Sequence, residues 1–121
     1  MLSPMHHRRV LIADDNADAA DLLACFCRSW GHEVCTARDG LAAVAKSASF
    51  APEIAILDIQ MPGMNGYDVA RNLREAFGES LLLIALTARD DEQSARDMKA
   101  AGFDHQICKA GDIEHIHALV G

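Results

Sequence analysis

The sequence predicts a doubly wound α/β domain, a five-stranded parallel sheet in the order 2-1-3-4-5 with helices on both faces. Three observations carry this. Short apolar runs alternate with amphipathic stretches along the whole chain. The apolar runs are continuous, as strands buried on both faces require. The 121 residues hold five βα units, whereas an eight-stranded barrel needs about twice that length. Right-handed crossovers then favour the 2-1-3-4-5 order.

Each element has its own signature. "RVLIAD" (9–14) reads as the first strand, apolar from Val10 to Ala13. Asn16 is a cap for the next helix, where Leu22, Leu23, Phe26 and Trp30 recur at helical spacing before Gly31. "HEVCTA" (32–37) is a second, more polar strand, and Asp39 caps a helix expected to carry Leu41, Val44, Ala45 and Ala48 on one side. "EIAILD" (53–58) is the third strand. Tyr67, Ala70, Leu73, Arg74 and Phe77 place a helix that stops at Gly78. "LLLIALT" (81–87) is the fourth and most apolar strand. "RDDEQSARDMKAAG" (89–102) has acids in its first turn, Lys99 in its last and Gly102 beyond, which complements a helix dipole. "DHQIC" (104–108) is a weaker fifth strand. Ile113, Ile116, Leu119 and Val120 form a short final helix with Asp112 as its cap.

Composition narrows the function. Half the residues are hydrophobic and 24% are charged, with a net charge of −7. That balance lacks the basic footprint of nucleic-acid or anionic-membrane binding. Apolar runs of about six residues fall well short of the ~20 that span a bilayer. "MLSPMHHRR" leads into no signal-peptide core, so a cytoplasmic protein is expected. Residues 1–8 are read as a flexible segment and 9–121 as one domain. Cys25 and Cys27 do not share a helix face, Cys35 and Cys108 fall in strands, and no C-x-x-C pair occurs. His6, His7, His32, His105, His115 and His117 form no zinc spacing with them. Reduced, mostly buried thiols are expected.

In such a sheet, ligands bind beyond the carboxyl ends of the strands, at the switch point between strands one and three. Strand one ends in Asp14 and Asp15, strand three in Asp58, strand four in Thr87 and strand five in Lys109. Strand two offers no comparable group. Taken singly, each residue has a plain structural reading: Asp15 as a helix cap, Thr87 as a helix entry, Lys109 as a solvated cation. Together they occupy one edge. Three convergent carboxylates require a cation, and hard oxygen donors suit Mg²⁺. The set describes phosphoryl transfer onto Asp58, with Thr87 donating a hydroxyl hydrogen bond and Lys109 pairing with a phosphoryl oxygen. Met61-Pro62-Gly63 folds the loop beside it.

"VLIADDN" (10–16), "LDIQMPGMNGYD" (57–68), "ALTA" (85–88) and "AGFDHQICK" (101–109) resemble the receiver domain of bacterial two-component response regulators. The resemblance runs from Arg9 to Val120. It implies a flavodoxin-like receiver fold and a phosphorelay role, with Asp58 taking a phosphoryl group from a histidine kinase or histidine phosphotransfer protein. It further implies Asp15 as a direct Mg²⁺ ligand beside Asp58, Asp14 acting through water, and the Gln60 backbone carbonyl completing the ligands. Thr87 and Lys109 match the switch hydroxyl and the phosphate-binding lysine. "GHEVCTARDG" and "AGFDHQICK" look most like receivers found with hybrid histidine kinases.

Two positions depart from the family pattern. Ala110 stands where a cis proline usually follows the lysine. A non-proline cis bond costs ~3–4 kcal/mol, against ~0.5–1 for X–Pro, so Lys109–Ala110 is predicted trans. Gln106 stands where an aromatic ring usually follows the switch hydroxyl, so an altered readout on the face of helix four, strand five and helix five is expected. The resemblance implies a phosphoacceptor without a separate substrate, hence not an enzyme, acting on an unidentified downstream protein and capable of forming a homodimer. Met1 suggests a natural start, as a stand-alone regulator or the leading domain of a longer one. A pseudo-receiver working without phosphorylation is the first rival. An aspartate phosphatase would carry a second aspartate at position 60, where this chain has Gln60. A flavin-binding protein would need a phosphate-cradling loop after strand one, and none follows.

Overall fold

The computed structural model of the chain describes residues 7–61, 63–88, 92–108 and 113–121. Pro62, Asp90, Asp91, Lys109, Ala110 and Asp112 lie outside the described residues, and so do the expectations of a trans Lys109–Ala110 bond and of an Asp112 cap. Five strands alternate with five helices: β1 (Arg9–Ala13), α1 (Ala17–Ser29), β2 (Glu33–Ala37), α2 (Gly40–Phe50), β3 (Ile54–Asp58), α3 (Gly66–Phe77), β4 (Leu82–Thr87), α4 (Glu92–Ala101), β5 (His105–Cys108) and α5 (Ile113–Val120). The sheet is parallel throughout, in the predicted order β2-β1-β3-β4-β5.

Alternate residues of the central strands feed two cores, as the period of two demands. Leu11, Ala55, Leu57, Leu83 and Ala85 pack under α2, α3 and α4, against Ala43, Val69, Leu73 and Met98. Val10, Ile12, Ile54, Ile56, Ile84 and Leu86 point the other way, toward Ala20, Leu23, Ala24 and Cys27 of α1 and Ile116 and Val120 of α5. Asn16, Asp39 and Asn65 cap their helices, each side-chain oxygen accepting a backbone N–H three residues on. Gly78, with φ of 64°, ends α3.

Two helix faces differ from the expectation. On α1 the sheet-facing residues are Ala20, Leu23, Ala24 and Cys27, while Leu22 is 61% exposed and Phe26 is 38% exposed. On α2 they are Gly40, Ala43 and Ser47, and Leu41 is exposed, as are Ala45 and Ala48. Small residues let both helices lie close against the strands, so bulk was the wrong guide to the buried stripe. The cysteine expectation also needs correction. All four thiols are free, but only Cys27 is buried, and Cys25 and Cys108 are exposed. Burial pushes the Cys27 thiol up to about 11, against a smaller opposing pull from Arg28. Cys108 ends β5 on the sheet edge, where alternate side chains meet solvent.

Arg74 ties the far ends of three elements together. Its guanidinium donates to the carbonyls of Gly78, Leu81 and Gly102 and to Asp104 Oδ2 at 2.6–2.8 Å. The same Asp104 oxygen accepts the Leu83 N–H at 2.8 Å. A planar fork with five donors suits this role, and a lysine does not reproduce it.

His32, buried at the α1–β2 turn, accepts the Arg8 N–H on Nδ1 at 3.1 Å. His7 meets the Gly31 carbonyl at 2.7 Å, and the Trp30 and His117 rings stack 4.0 Å apart. Burial pushes the pKa of His32 below its ordinary 6.5; the Gly121 backbone opposes this, and Arg8, His7 and His117 reinforce it.

Two outcomes follow from these contacts. The unfolded chain takes up a proton at His32 near pH 6.5, and the folded chain only at lower pH. Stability is therefore full above that value and falls as the solution is acidified through the interval. Denaturant titrations from about pH 8 to pH 5 should show a steeper loss for wild type than for His32→Asn; equal slopes would remove His32 as the cause. Arg74→Lys should lower unfolding free energy by about 1–3 kcal/mol through unmet carbonyls, measured in the same titrations at neutral pH.

Candidate phosphoacceptor cleft

Register places the strand ends level. Ala13 pairs with Leu57, and Asp58 pairs with Leu86. Asp14 therefore stands beside Asp58, and Thr87 lies one residue further along β4. Asp14, Asp58 and Thr87 are 2%, 3% and 5% exposed, whereas Asp15 is open to solvent. Asp14, Asp15 and Asp58 each offer an oxygen within 4.8 Å of the others. Among the described residues this is the one cluster of three side chains able to hold a metal ion.

Both buried acids are held by the same local device. Asp14 Oδ1 accepts the Asn16 N–H at 3.0 Å, and Asp58 Oδ1 accepts the Gln60 N–H at 3.2 Å. Each is a carboxylate closing a turn onto the backbone two residues ahead, which fixes its rotamer at the point where the strand stops. The Asp14 N–H continues the sheet by donating to Ala37 at 3.0 Å. Beyond Asp58, the Ile59 N–H donates to the Leu86 carbonyl at 3.2 Å, and the Gly66 N–H donates to Ile59 at 2.9 Å. The β3–α3 loop thus folds straight back on the strand it leaves. Gly66 makes that return possible, because a Cβ there would stand 2.5 Å from the Asp58 carbonyl and 2.8 Å from Ile59 Cα. Its φ is not positive, so the requirement is one of space rather than backbone conformation.

Asp15, Asp58, Gln60 and Thr87 open onto one cleft of about 920 Å³. Its donor set is carboxylates and an amide, all hard oxygens, which fit a hard divalent cation. Several wall residues were not singled out as site residues in the sequence. Asn65, Tyr67, Gln93, Ser94 and Asp97 extend the cleft from α3 to α4. Only Asn65 carried a signal, as an Asn-Gly pair opening a helix; the others look like ordinary helix-surface residues. Gln106 sits apart. It pairs with Ala85 inside the sheet and lines a separate groove of about 410 Å³ with Lys99 and Phe103. Lys109, expected at the end of β5, is outside the described residues.

The chain is similar in sequence to curated regulators about twice its length. It is 33% identical over 102 residues to the DNA-binding response regulator MtrA of Mycobacterium tuberculosis, covering 84% of this chain and 44% of that protein. It is 41% identical over 83 residues to the sensory transduction protein RegX3 of Mycobacterium bovis, covering 69% and 36%. The chain thus spans less than half the length of these relatives. In three dimensions it resembles the chemotaxis protein CheY4 of Vibrio cholerae with a TM-score of 0.88, at 24% identity over 94% of this chain and 96% of that one. It also resembles a chain of the CheX–CheY–BeF3–Mg²⁺ complex of Borrelia burgdorferi, with a TM-score of 0.84 and 31% identity over 93% and 86%. Residues 10–121 match the family model of the response regulator receiver domain, so the chain belongs to that family.

Proposed function

We propose that this receiver domain is a phosphoacceptor that takes a phosphoryl group from a phosphohistidine onto Asp58 with the help of Mg²⁺. The observation that carries the reading is the gathering of Asp14, Asp15 and Asp58 at the mouth of the cleft that Thr87 also lines. In the reaction, an Asp58 oxygen attacks phosphorus, the P–N bond to the donor imidazole breaks, and the imidazole leaves with its electron pair and recovers a proton from solvent. Bound Mg²⁺ would supply charge neutralisation between the carboxylates and the incoming phosphoryl oxygens.

Asp15, Asp58 and the Gln60 backbone carbonyl would hold the ion, with Asp14 assisting. Thr87 donates its hydroxyl to one phosphoryl oxygen and Lys109 pairs with another. The turn from Gln60 back to Asp58 keeps the nucleophile aimed without reorganisation at the moment of transfer. The complex of a 31% identical relative with BeF3 and Mg²⁺ supports the same chemistry here. The donor is a histidine kinase or histidine phosphotransfer protein in the cytoplasm, and the product state changes affinity for a downstream protein or a second copy. Ala110 and Gln106 alter how that change is read out and leave the chemistry of Asp58 untouched. The domain catalyses its own modification and has no separate substrate.

Incubation with Mg²⁺ and acetyl phosphate should add an acid-labile phosphoryl group by intact mass, which Asp58→Asn should lack. Modification of neither protein, even by candidate kinases, would favour the pseudo-receiver, a binding module that needs no phosphate. Turnover of a generic phosphomonoester should be absent; its presence would restore the phosphatase. Gln106→Ala should be phosphorylated at a rate within about two-fold of wild type, because its groove is separate from the cleft. A much slower rate would place position 106 in the chemistry.

A further inference from the structure

Strand β2 contributes no functional group to the cleft, yet the helix that follows it touches the phosphoacceptor loop. A Cβ built on Gly40, the first residue of α2, would lie 2.0 Å from the Met64 carbonyl oxygen, 2.7 Å from Met64 Cβ and 2.8 Å from the Met64 carbonyl carbon. Two of the three are backbone atoms, so no rotamer change relieves the overlap. Gly40 is not among the glycines with positive φ. It is glycine because α2 and the loop meet there with no room for a methyl group.

We propose that Gly40 is a positioning residue for phosphoryl transfer, setting the height of the β3–α3 loop above the metal site. The loop from Ile59 to Asn65 is held at three places. Its outgoing limb is pinned to β4 by Ile59, and its end is pinned under Asp58 by Gly66. Its returning limb rests on Gly40 through Met64, whose sulfur also meets Asn72 Nδ2 at 3.9 Å. Asp39 fixes the first turn of α2 by accepting the Ala42 N–H at 2.7 Å, so this support does not yield easily. A methyl group at position 40 must lift Met64 or push α2 outward. Met64 stands two residues before Gly66, whose N–H holds the Ile59 carbonyl, so lifting Met64 disturbs Ile59 and the adjoining Gln60 N–H that meets Asp58. The inference rests on the metal-assisted reading above and extends it to a residue that contacts neither ion nor phosphate.

The test compares wild type, Gly40→Ala and Ala48→Gly. Ala48 is exposed on the same helix, so its replacement weakens α2 without reaching the loop. In calorimetric Mg²⁺ titrations of the folded proteins, Gly40→Ala should bind about ten-fold more weakly or worse, as supporting partners of metal ligands typically do. Ala48→Gly should match wild type. Without metal, hydrogen exchange in 59–65 should rise in Gly40→Ala and not in Ala48→Gly. Should Gly40→Ala fail to fold, Met64→Gly removes the Cβ above Gly40 without adding an overlap, and it should weaken Mg²⁺ in the same direction. A folded Gly40→Ala, or failing that Met64→Gly, that binds Mg²⁺ like wild type overturns the proposal. Wild type that binds no Mg²⁺ overturns the metal-assisted reading and this inference with it.

Discussion

Everything at the functional edge follows from one electrostatic constraint: two carboxylates, Asp14 and Asp58, are buried beside each other with a third at the surface. Carboxylates gathered so closely repel one another, and burying them withdraws the water that would screen that repulsion. The backbone supplies part of what offsets this. Each acid closes a turn onto an N–H two residues ahead. The capped N-termini of α1 and α3 begin two and eight residues after Asp15 and Asp58, respectively, so positive helix ends sit at this edge. Backbone dipoles soften the repulsion, and the divalent cation proposed above would lower it further before a phosphoryl group arrives.

A parallel sheet makes such polarity general rather than local. Every strand points its carboxyl end to the cleft, so every helix begins there and ends at the opposite edge. The basic residues follow. Arg28, Arg74, Lys99 and His117 fall in the last turns of α1, α3, α4 and α5. Arg8, Arg9 and His32 gather where β1 and β2 begin, with Arg9 bonded to Glu53 and to the Ala51 carbonyl. The fold thus sets the Asp14, Asp15 and Asp58 cluster at one edge of the sheet and these basic residues at the helix C-termini, which stabilise cations.

Strand order, the two cores and the edge carrying the acids were legible because they depend on patterns of long range. Continuous apolar runs imply a covered parallel sheet, and a parallel sheet brings Asp14, Asp58 and Thr87 to one edge whatever the loops do. The failures were in helices, for a reason that is also physical. Leu22, Phe26 and Leu41 are larger than Ala20, Ala24, Ala43 and Gly40, and hydrophobic bulk suggested burial. Close packing of helix on sheet selects small side chains instead. The same bias hid the cleft walls. Tyr67, Ser94 and Asp97 are ordinary helix residues until α3 and α4 are set side by side.

Gly40 and Gly66 show where that bias matters most. A sequence reader looks for groups that act, and both positions act by having none. Gly66 lets α3 start beneath the Asp58 carbonyl, and Gly40 lets α2 start against Met64. Two helices from the same face of the sheet therefore close on the loop that follows Asp58, one from its end and one from its side. The phosphoryl transfer proposed at Asp58 would need oxygens placed to within a fraction of an ångström, and a short loop alone does not hold them so closely. Rigid helix starts do, provided nothing keeps them at a distance. The specificity of the site is thus written in its carboxylates and its precision in two missing methyl groups.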